Sequence, residues 1–360
     1  ENTNSNMIKS MKEKQWKGDF MYHDALLYDN QEDNSVICNL CAHRCHIKEG
    51  KRGICRVREN RGGKLYTLAY GNLISKGVDP VEKKPLYHFY PDTKAFSIAT
   101  PGCNFRCDWC QNWQISQMPR LMEMPRGKRV MPEDVVEQAL RTGCQSIAYT
   151  YTEPTIFFEY SYDVAKLAKE SSLKNIYVTN GFMTPEMLNM IAPYLDAANV
   201  DIKAFRDEPY RKLMGGRLQP VLDSCQLMKE IGIWLEVTTL VVPGMNDDLD
   251  ELRALAKFIY ESLGPETPWH LSRFYPQYRM ADLRPTDEST LQKTKKMGES
   301  IGLNYVYVGN VWGGNTTRCK NCGEILIRRN GYSIHIVGLD GEGCCKTCHT
   351  LLDGVGLTSL

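Results

Sequence analysis

No apolar run in this chain of 360 residues approaches the ~20 that a helix needs to cross a bilayer, so the sequence predicts no membrane span. No charge of one sign is in excess: 44 Lys and Arg face 43 Asp and Glu. A net charge of +1 favours neither nucleic acid nor an anionic membrane as partner. Gly-x-Gly-x-x-Gly, a phosphate loop and a Ser–His–Asp arrangement are all missing, which argues against dinucleotide, nucleotide and acyl-transfer chemistry. The opening stretch ENTNSNMIKSMKEKQWKGD lacks an apolar signal core and reads as a polar arm. Met7 and the missing initiator suggest first residues that are non-native or processed. With 42% apolar and 24% charged residues, what remains is globular material sufficient for one barrel with additions.

Cysteine, by contrast, is abundant. Fourteen are present, in three groups at 38/41/45/55, 103/107/110 and 319/322/344/345/348, with Cys144 and Cys225 alone. The two loners fall in or beside predicted helices and read as core residues. Tight C-x2-C pairs without a secretion signal favour metal over disulfides, and hence a reducing cytoplasm.

The chain is organised around FSIATPGCNFRCDWCQNW, residues 96–113. Cys103, Cys107 and Cys110 follow an apolar, strand-like run, and Gly102 supplies the bend out of it. Three thiolates cannot complete a tetrahedral zinc site, which takes four ligands. They can hold three irons of a [4Fe–4S] cluster and leave the fourth open to a small molecule.

The outer groups read differently. Cys38, Cys41, Cys45 and Cys55 provide four thiols within eighteen residues, enough for a complete S4 site of zinc or of a second iron–sulfur cluster. His43 and His46 are substitute ligands there. Arg44, Lys48, Lys51, Arg52, Arg56 and Arg58 make this the most basic segment, read as a docking face or a solvated surface. At the other end, Cys319-x2-Cys322 and Cys345-x2-Cys348 flank a hairpin-like stretch, a zinc-ribbon or rubredoxin-like pattern with zinc as default and iron as alternative. Cys344 is a spare thiol able to exchange with Cys345. His349 stands where such knuckles carry glycine, which predicts a looser turn.

Strand-like runs at 96–99, 146–151, 175–179, 196–202, 234–242, 270–275 and 304–308 alternate with helical periodicity at 132–142, 156–170, 184–194, 220–231, 248–263 and 287–301. Pro132 and Pro185 suit first turns, and Thr184 and Asp248 suit N-caps. A short strand pair or strand-turn is expected over 65–74. The alternation predicts an α/β fold with a parallel sheet and crossover helices. Six units are too few for a closed eight-fold barrel, so a partial (β/α)6 barrel is expected over 91–312. It lies between a Cys-rich extension at 1–90 and a zinc-ribbon-like module at 313–360. Polar groups recur where the strands end: Thr152-Glu153-Pro154, Thr179-Asn180-Gly181, Asp201-x-Lys203 and Pro243 to Asp247. Lys83, Lys84 and His88 precede the central strand and could line the mouth of the site.

PGCNFRCDWCQNW, YTEP, VTNGF, NVDIKAF, VVPGMNDD and VEKKPLYHF resemble the radical S-adenosylmethionine (SAM) component of the AmmeMemoRadiSam system and, more broadly, the activating enzymes of glycyl-radical enzymes. The resemblance runs from about Cys38 to the C-terminus. It implies that Cys103, Cys107 and Cys110 hold a [4Fe–4S] cluster whose open iron is chelated by SAM. Reductive cleavage would then give a 5′-deoxyadenosyl radical that abstracts hydrogen from a protein or small substrate. By the same resemblance Glu153 and Pro154 lie at the SAM amino group, Thr179 and Asn180 near the ribose and a monovalent cation, Lys203 at the carboxylate and Asp201 near the cation. Val178 departs from the acidic residue with which relatives begin the third motif. His270 and Arg273 are loose candidates for a late SAM contact. A flavodoxin- or ferredoxin-type electron donor and Memo-like or AMMECR-like protein partners are implied. Activation of a glycyl-radical enzyme and a non-catalytic metal-binding scaffold are the alternatives.

Overall fold

A computed structural model describes residues 22–121 and 127–359; the polar arm and Met7 lie outside the described residues. All seven expected parallel strands form one open sheet, with an eighth, antiparallel strand at its edge. In chain order they are β1 (Ser75–Pro80), β2 (Lys94–Ala99), β3 (Ser146–Tyr149), β4 (Lys174–Thr179), β5 (Ala197–Asp201), β6 (Trp234–Val241), β7 (Trp269–Arg273) and β8 (Val306–Gly309). Their spatial order is also their sequence order, with β1 antiparallel to β2 and every later pair parallel.

Helices return the chain between strands: α1 (Pro132–Arg141), α2 (Phe158–Glu170), α3 (Pro185–Ile191), α4 (Gln219–Glu230), α5 (Leu249–Phe258) and α6 (Glu288–Ile301). Their starts follow from the sequence. Pro132 and Pro185 occupy the first turns of α1 and α3, where a missing N–H costs nothing. Thr184 accepts from Met187 N, and Asp248 accepts from Asp250 N and Glu251 N, as N-caps should. Leu252, Leu255 and Ala256 form the buried stripe of α5; each leucine contributes roughly 1.5–3 kcal/mol by leaving water.

Alternation along the strands divides the sheet's two faces. Phe96, Ile98, Ile147, Tyr149, Tyr177, Val200 and Leu235 join the large core shared with the helices. The other face begins with small residues, Ala95, Ala148 and Ala197, packed on Val81, Leu86 and Phe89. Further along, this inner face becomes polar. Asn199 donates to Pro85 O at 2.8 Å, and Glu236 accepts from the backbone of Tyr87 and His88 at 3.0 and 2.8 Å.

The 65–74 stretch forms no strand pair of its own. Lys64–Thr67 pairs with Arg58–Arg61, and Asn72–Leu73 pairs with Lys128–Arg129. In the N-terminal region two three-stranded antiparallel sheets pack beside the strand ends, joined to the turn after β4 by the Cys41–Met183 bridge. C-terminal to β8, β9 (Gly314–Arg318), β10 (Ile325–Asn330) and β11 (Ser333–Ile336) form an antiparallel sheet. It closes the opposite end of the parallel sheet, where Tyr307 Oη meets Thr317 Oγ1 at 2.7 Å and Arg329 donates to Tyr87 O at 2.6 Å. Among the described residues, no helix is long and apolar enough to cross a membrane.

Candidate functional site

The loop that follows β2 carries the three central cysteines. Gly102 turns it at φ +115°, and a side chain there would lie 3.1 Å from Val57 and 3.4 Å from Ile156. Gly102 N donates to Ile115 O and Arg106 N to Met214 O, which pins the loop on both sides. Cys103, Cys107 and Cys110 are each half-buried. Phe105 N points at Cys103 Sγ (3.3 Å), and Cys110 Sγ lies 3.3 Å from Ser116 Oγ. Burial first, then Glu153 and Cys107, push the Cys103 thiol well up; burial pushes Cys107 up to about 12 against the opposing pull of Lys203. Such thiols ionise when a metal binds them.

Residues at successive strand ends converge on this loop. Glu153 is 1% exposed. Its Oε1 accepts from Thr155 N, Thr155 Oγ1 and Thr179 Oγ1, and its Oε2 from Asn180 N at 2.8 Å. Burial raises its pKa and these four donors pull it back, for a net rise. Asn180 Nδ2 donates to Asn104 Oδ1 (2.7 Å) and stands 3.8 Å from Cys103 Sγ. Glu153, Thr179, Asn180 and Cys103 are therefore one connected unit, with Pro154 opening the turn that sets Thr155 under the carboxylate. From another side, Lys203 Nζ pairs with Asp201 at 2.7 Å. Burial disfavours the Lys203 cation, but Asp201 and Cys107 more than restore it and leave its pKa raised.

Other expected residues lie elsewhere. His88 is buried at the far end of the sheet between Asp353 O and Tyr307 Oη, both 2.7 Å away, and so does not line the mouth. His270 belongs to the same end, 2.6 Å from Glu236 and against Tyr87. Arg273 pairs with Glu288 at 2.6 Å. Lys83 and Lys84 both pair with Asp79 at 2.7 Å, below Tyr151, which follows β3. His43 and His46 each have Nε2 engaged, by Asn104 O (2.9 Å) and Ser35 Oγ (2.5 Å) respectively. Arg58, read as part of a basic surface, is 1% exposed. Asn104 and Arg120 were not singled out in the sequence. Asn104 sits within the cysteine motif, so its place there was the available signal. Arg120 Nη2 donates to Cys103 O at 3.2 Å, and nothing in the sequence marks it.

In the C-terminal segment the ligand atoms of Cys319, Cys322, Cys345 and Cys348 all lie within 4.8 Å of one another. Gly323 N donates to Cys319 O and His349 N to Cys345 O, giving two like knuckles. His349 makes its turn at φ +57°, as tight as Gly323 at +75°, which corrects the expectation of a looser one. Cys344 stays outside this group and pairs with Leu351 instead. Cys144 and Cys225 are buried core residues.

Residues 97–259 match the Radical SAM superfamily model. The chain is 46% identical over 333 residues to an uncharacterized protein of Methanocaldococcus jannaschii, covering 92% of this chain and 98% of that one. It is 23% identical over 211 residues to the pyruvate formate-lyase-activating enzyme of Clostridium pasteurianum, covering 54% of this chain and 86% of the relative. A radical SAM methyltransferase from Sphaerobacter thermophilus superposes with a TM-score of 0.49 at 17% identity, covering 61% of this chain and 67% of that chain. The chain belongs to the radical SAM superfamily, whose members are iron–sulfur enzymes, and is homologous to activating enzymes of glycyl-radical enzymes.

Proposed function

We propose that Cys103, Cys107 and Cys110 hold the catalytic cluster of this radical SAM enzyme and that SAM lies between Glu153, Pro154, Thr179 and Asn180 on one side and Asp201 and Lys203 on the other. The observation that carries this reading is the buried hydrogen-bonded unit from Glu153 through Asn180 to Cys103, faced by the Lys203 cation near Cys107. The donor set fits. Three thiols on one loop leave one iron of a cube without a protein ligand. Such a cluster, when bound, supplies the electron that cleaves SAM to methionine and a 5′-deoxyadenosyl radical.

The chain's own residues do the rest. Lys203 is held protonated and offers a cation to the SAM carboxylate. The Glu153 carboxylate accepts four hydrogen bonds from within the chain and its backbone O accepts from Ile156 N at 3.1 Å, so Glu153 works by fixing the Thr179–Asn180 turn and the Glu153–Pro154 step beside which the ammonium is placed. The polar inner face of the sheet, from Asn199 to Thr238, gives a hydrogen-bonding wall below the strand ends. We read the open sheet as a partial (β/α)6 barrel spanning 91–312. The extension at 1–90 and a zinc-ribbon-like module at 313–360 complete the domain division, with zinc at Cys319, Cys322, Cys345 and Cys348. The motif match favours membership in the AmmeMemoRadiSam system, in the cytoplasm, with a flavodoxin- or ferredoxin-type donor and Memo-like or AMMECR-like partners.

Anaerobically reconstituted, reduced protein should release 5′-deoxyadenosine from SAM, and Cys103→Ala should not. Equal, absent release from both would end the reading. The homology to activating enzymes supports a second one, in which the target is a glycine of a partner enzyme. It requires a glycyl EPR signal on the partner after incubation with SAM.

A further inference from the structure

A second set of thiols gathers outside the central site. Cys38 N donates to Cys45 O at 2.9 Å, closing the loop that carries Cys41. Cys38, Cys41 and Cys55 are buried and Cys45 is half-buried. A Cβ at Gly53 would lie 3.6 Å from Cys45 Sγ, and Arg56 N donates to Gly53 O at 2.9 Å, so the turn that carries Cys55 is folded against Cys45. Their spacing separates them from the C-terminal group. Zinc holds thiolates at about 2.3 Å in a tetrahedron, which sets the sulfurs roughly 3.8 Å apart. Cys319–Cys348 and Cys322–Cys345 meet that spacing at 3.5 and 3.7 Å. Among the described residues, no three of the N-terminal four lie within 4.8 Å of one another. They are gathered, yet too wide for one ion. A cube of irons and sulfides, with one thiolate per iron, needs that extra width.

Arg58 provides an independent observation. It is 1% exposed, its Nη1 stands 3.0 Å from Glu159 Oε1, and its Nη2 donates to Leu26 O. Its Nε and Nη1 have no hydrogen-bond partner, nor does Glu159 Oε2. Gly53 N donates to Arg58 O at 3.0 Å, which closes the turn carrying Cys55 onto Arg58; burial opposes its charge, which Glu159 sustains first and Cys38, Cys55 and Cys41 after it. Glu159 balances the charge, but a buried N–H left without an acceptor is costly unless another acceptor stands beside it. We propose that Cys38, Cys41, Cys45 and Cys55 hold a second [4Fe–4S] cluster, ligated at all four irons, and that Arg58 is its positioning cation and N–H donor. The second site adjoins the first. Arg120 Nη2 donates both to Ile54 O (3.1 Å) and to Cys103 O (3.2 Å), and Val57 packs on Gly102.

The test uses the full chain with Cys103, Cys107 and Cys110 all changed to Ala, so that failure of the central site cannot obscure the result. After anaerobic reconstitution with iron and sulfide it should keep about four irons, a visible band bleached by dithionite and a reduced-cluster EPR signal. Zinc in place of those irons, or no metal, overturns the proposal. Should that variant fail to fold, metal counts on the wild type decide: about eight cubane irons support it and about four overturn it. Arg58→Lys keeps the charge and removes Nε–H. It should retain the irons and make the second cluster's reduction potential more negative, because hydrogen bonds to cluster sulfur raise potentials. An unmoved potential removes Arg58 from the proposal.

Discussion

Two carboxylates, Glu153 at the site and Asp79 away from it, show how much a single side chain can hold in place. Glu153 gathers four donors on two oxygens in a volume closed to water. Glu153→Gln keeps the shape but turns an NH2 toward donors, so one pair clashes whichever way the amide faces. It should cost about 1–3 kcal/mol of stability and weaken SAM binding by releasing the Thr179–Asn180 turn. Denaturant midpoints and equilibrium dialysis with SAM read the two effects separately. A destabilised protein with unchanged SAM affinity would confine Glu153 to scaffolding. Asp79 is the second. Burial raises its pKa, but Lys83, Lys84, Tyr151 and Ser97 all donate to it and hold it below the usual carboxylate range. A depressed carboxylate stabilises the fold above its unfolded pKa of about 3.9 and loses that contribution as pH falls toward its folded value. Urea midpoints from pH 6 down to 3 should therefore fall more steeply for wild type than for Asp79→Asn, the two curves converging in acid. Parallel curves would show that the acid sensitivity arises elsewhere.

Among the elements, the turn after β4 is tightly held. Gly181 has φ +69°, and a Cβ there would lie 2.8 Å from Val200 Cγ1. Gly181→Ala combines left-handed strain with that clash, and about 1–3 kcal/mol should be lost. The same urea midpoints check it, and a loss under half a kcal/mol would mean that the turn can move. This turn was legible in the sequence because Thr-Asn-Gly follows a β-branched run, and the crossover helices were legible because their caps and prolines sit where the periodicity begins. β1 was not. Ser75–Pro80 contains Gly77 and Pro80 and leaves Val78 44% exposed. Only its antiparallel pairing with β2 makes it a strand, and pairing of that kind is decided by neighbours rather than by propensity. The same limit applies to charge. Arg58 reads as one of six basic residues in a row of loops, and its burial depends on Glu159, a hundred residues away in α2. Lys84, which the sequence places as a residue that could line the mouth, is instead buried against Asp79 and Tyr151.

Over the whole molecule, the two ends of the parallel sheet have different tasks. The strands' C-terminal ends carry the cysteine loop, the Glu153 unit and Lys203, while the opposite end is closed by the C-terminal sheet and its four-cysteine group. That closure is polar and shared. Tyr305 Oη donates to Asp353 at 2.8 Å, Tyr90 N and Val355 N exchange bonds with Val355 O and His88 O, and Tyr307 joins His88 to Thr317. Emptying the four-cysteine group should therefore loosen the base of the sheet without disturbing the chemistry at its other end. A site filled at one hundred times its dissociation constant contributes about 2.7 kcal/mol, which for a chain of this size is a fall of roughly 3–4 °C in Tm. Cys345→Ser, or chelation of the wild type, should show that fall together with loss of one metal equivalent per chain, while cluster iron and 5′-deoxyadenosine release stay within twofold. If iron and activity fall in proportion to the lost metal, the C-terminal group belongs to the catalytic machinery and the separation of the two ends is wrong.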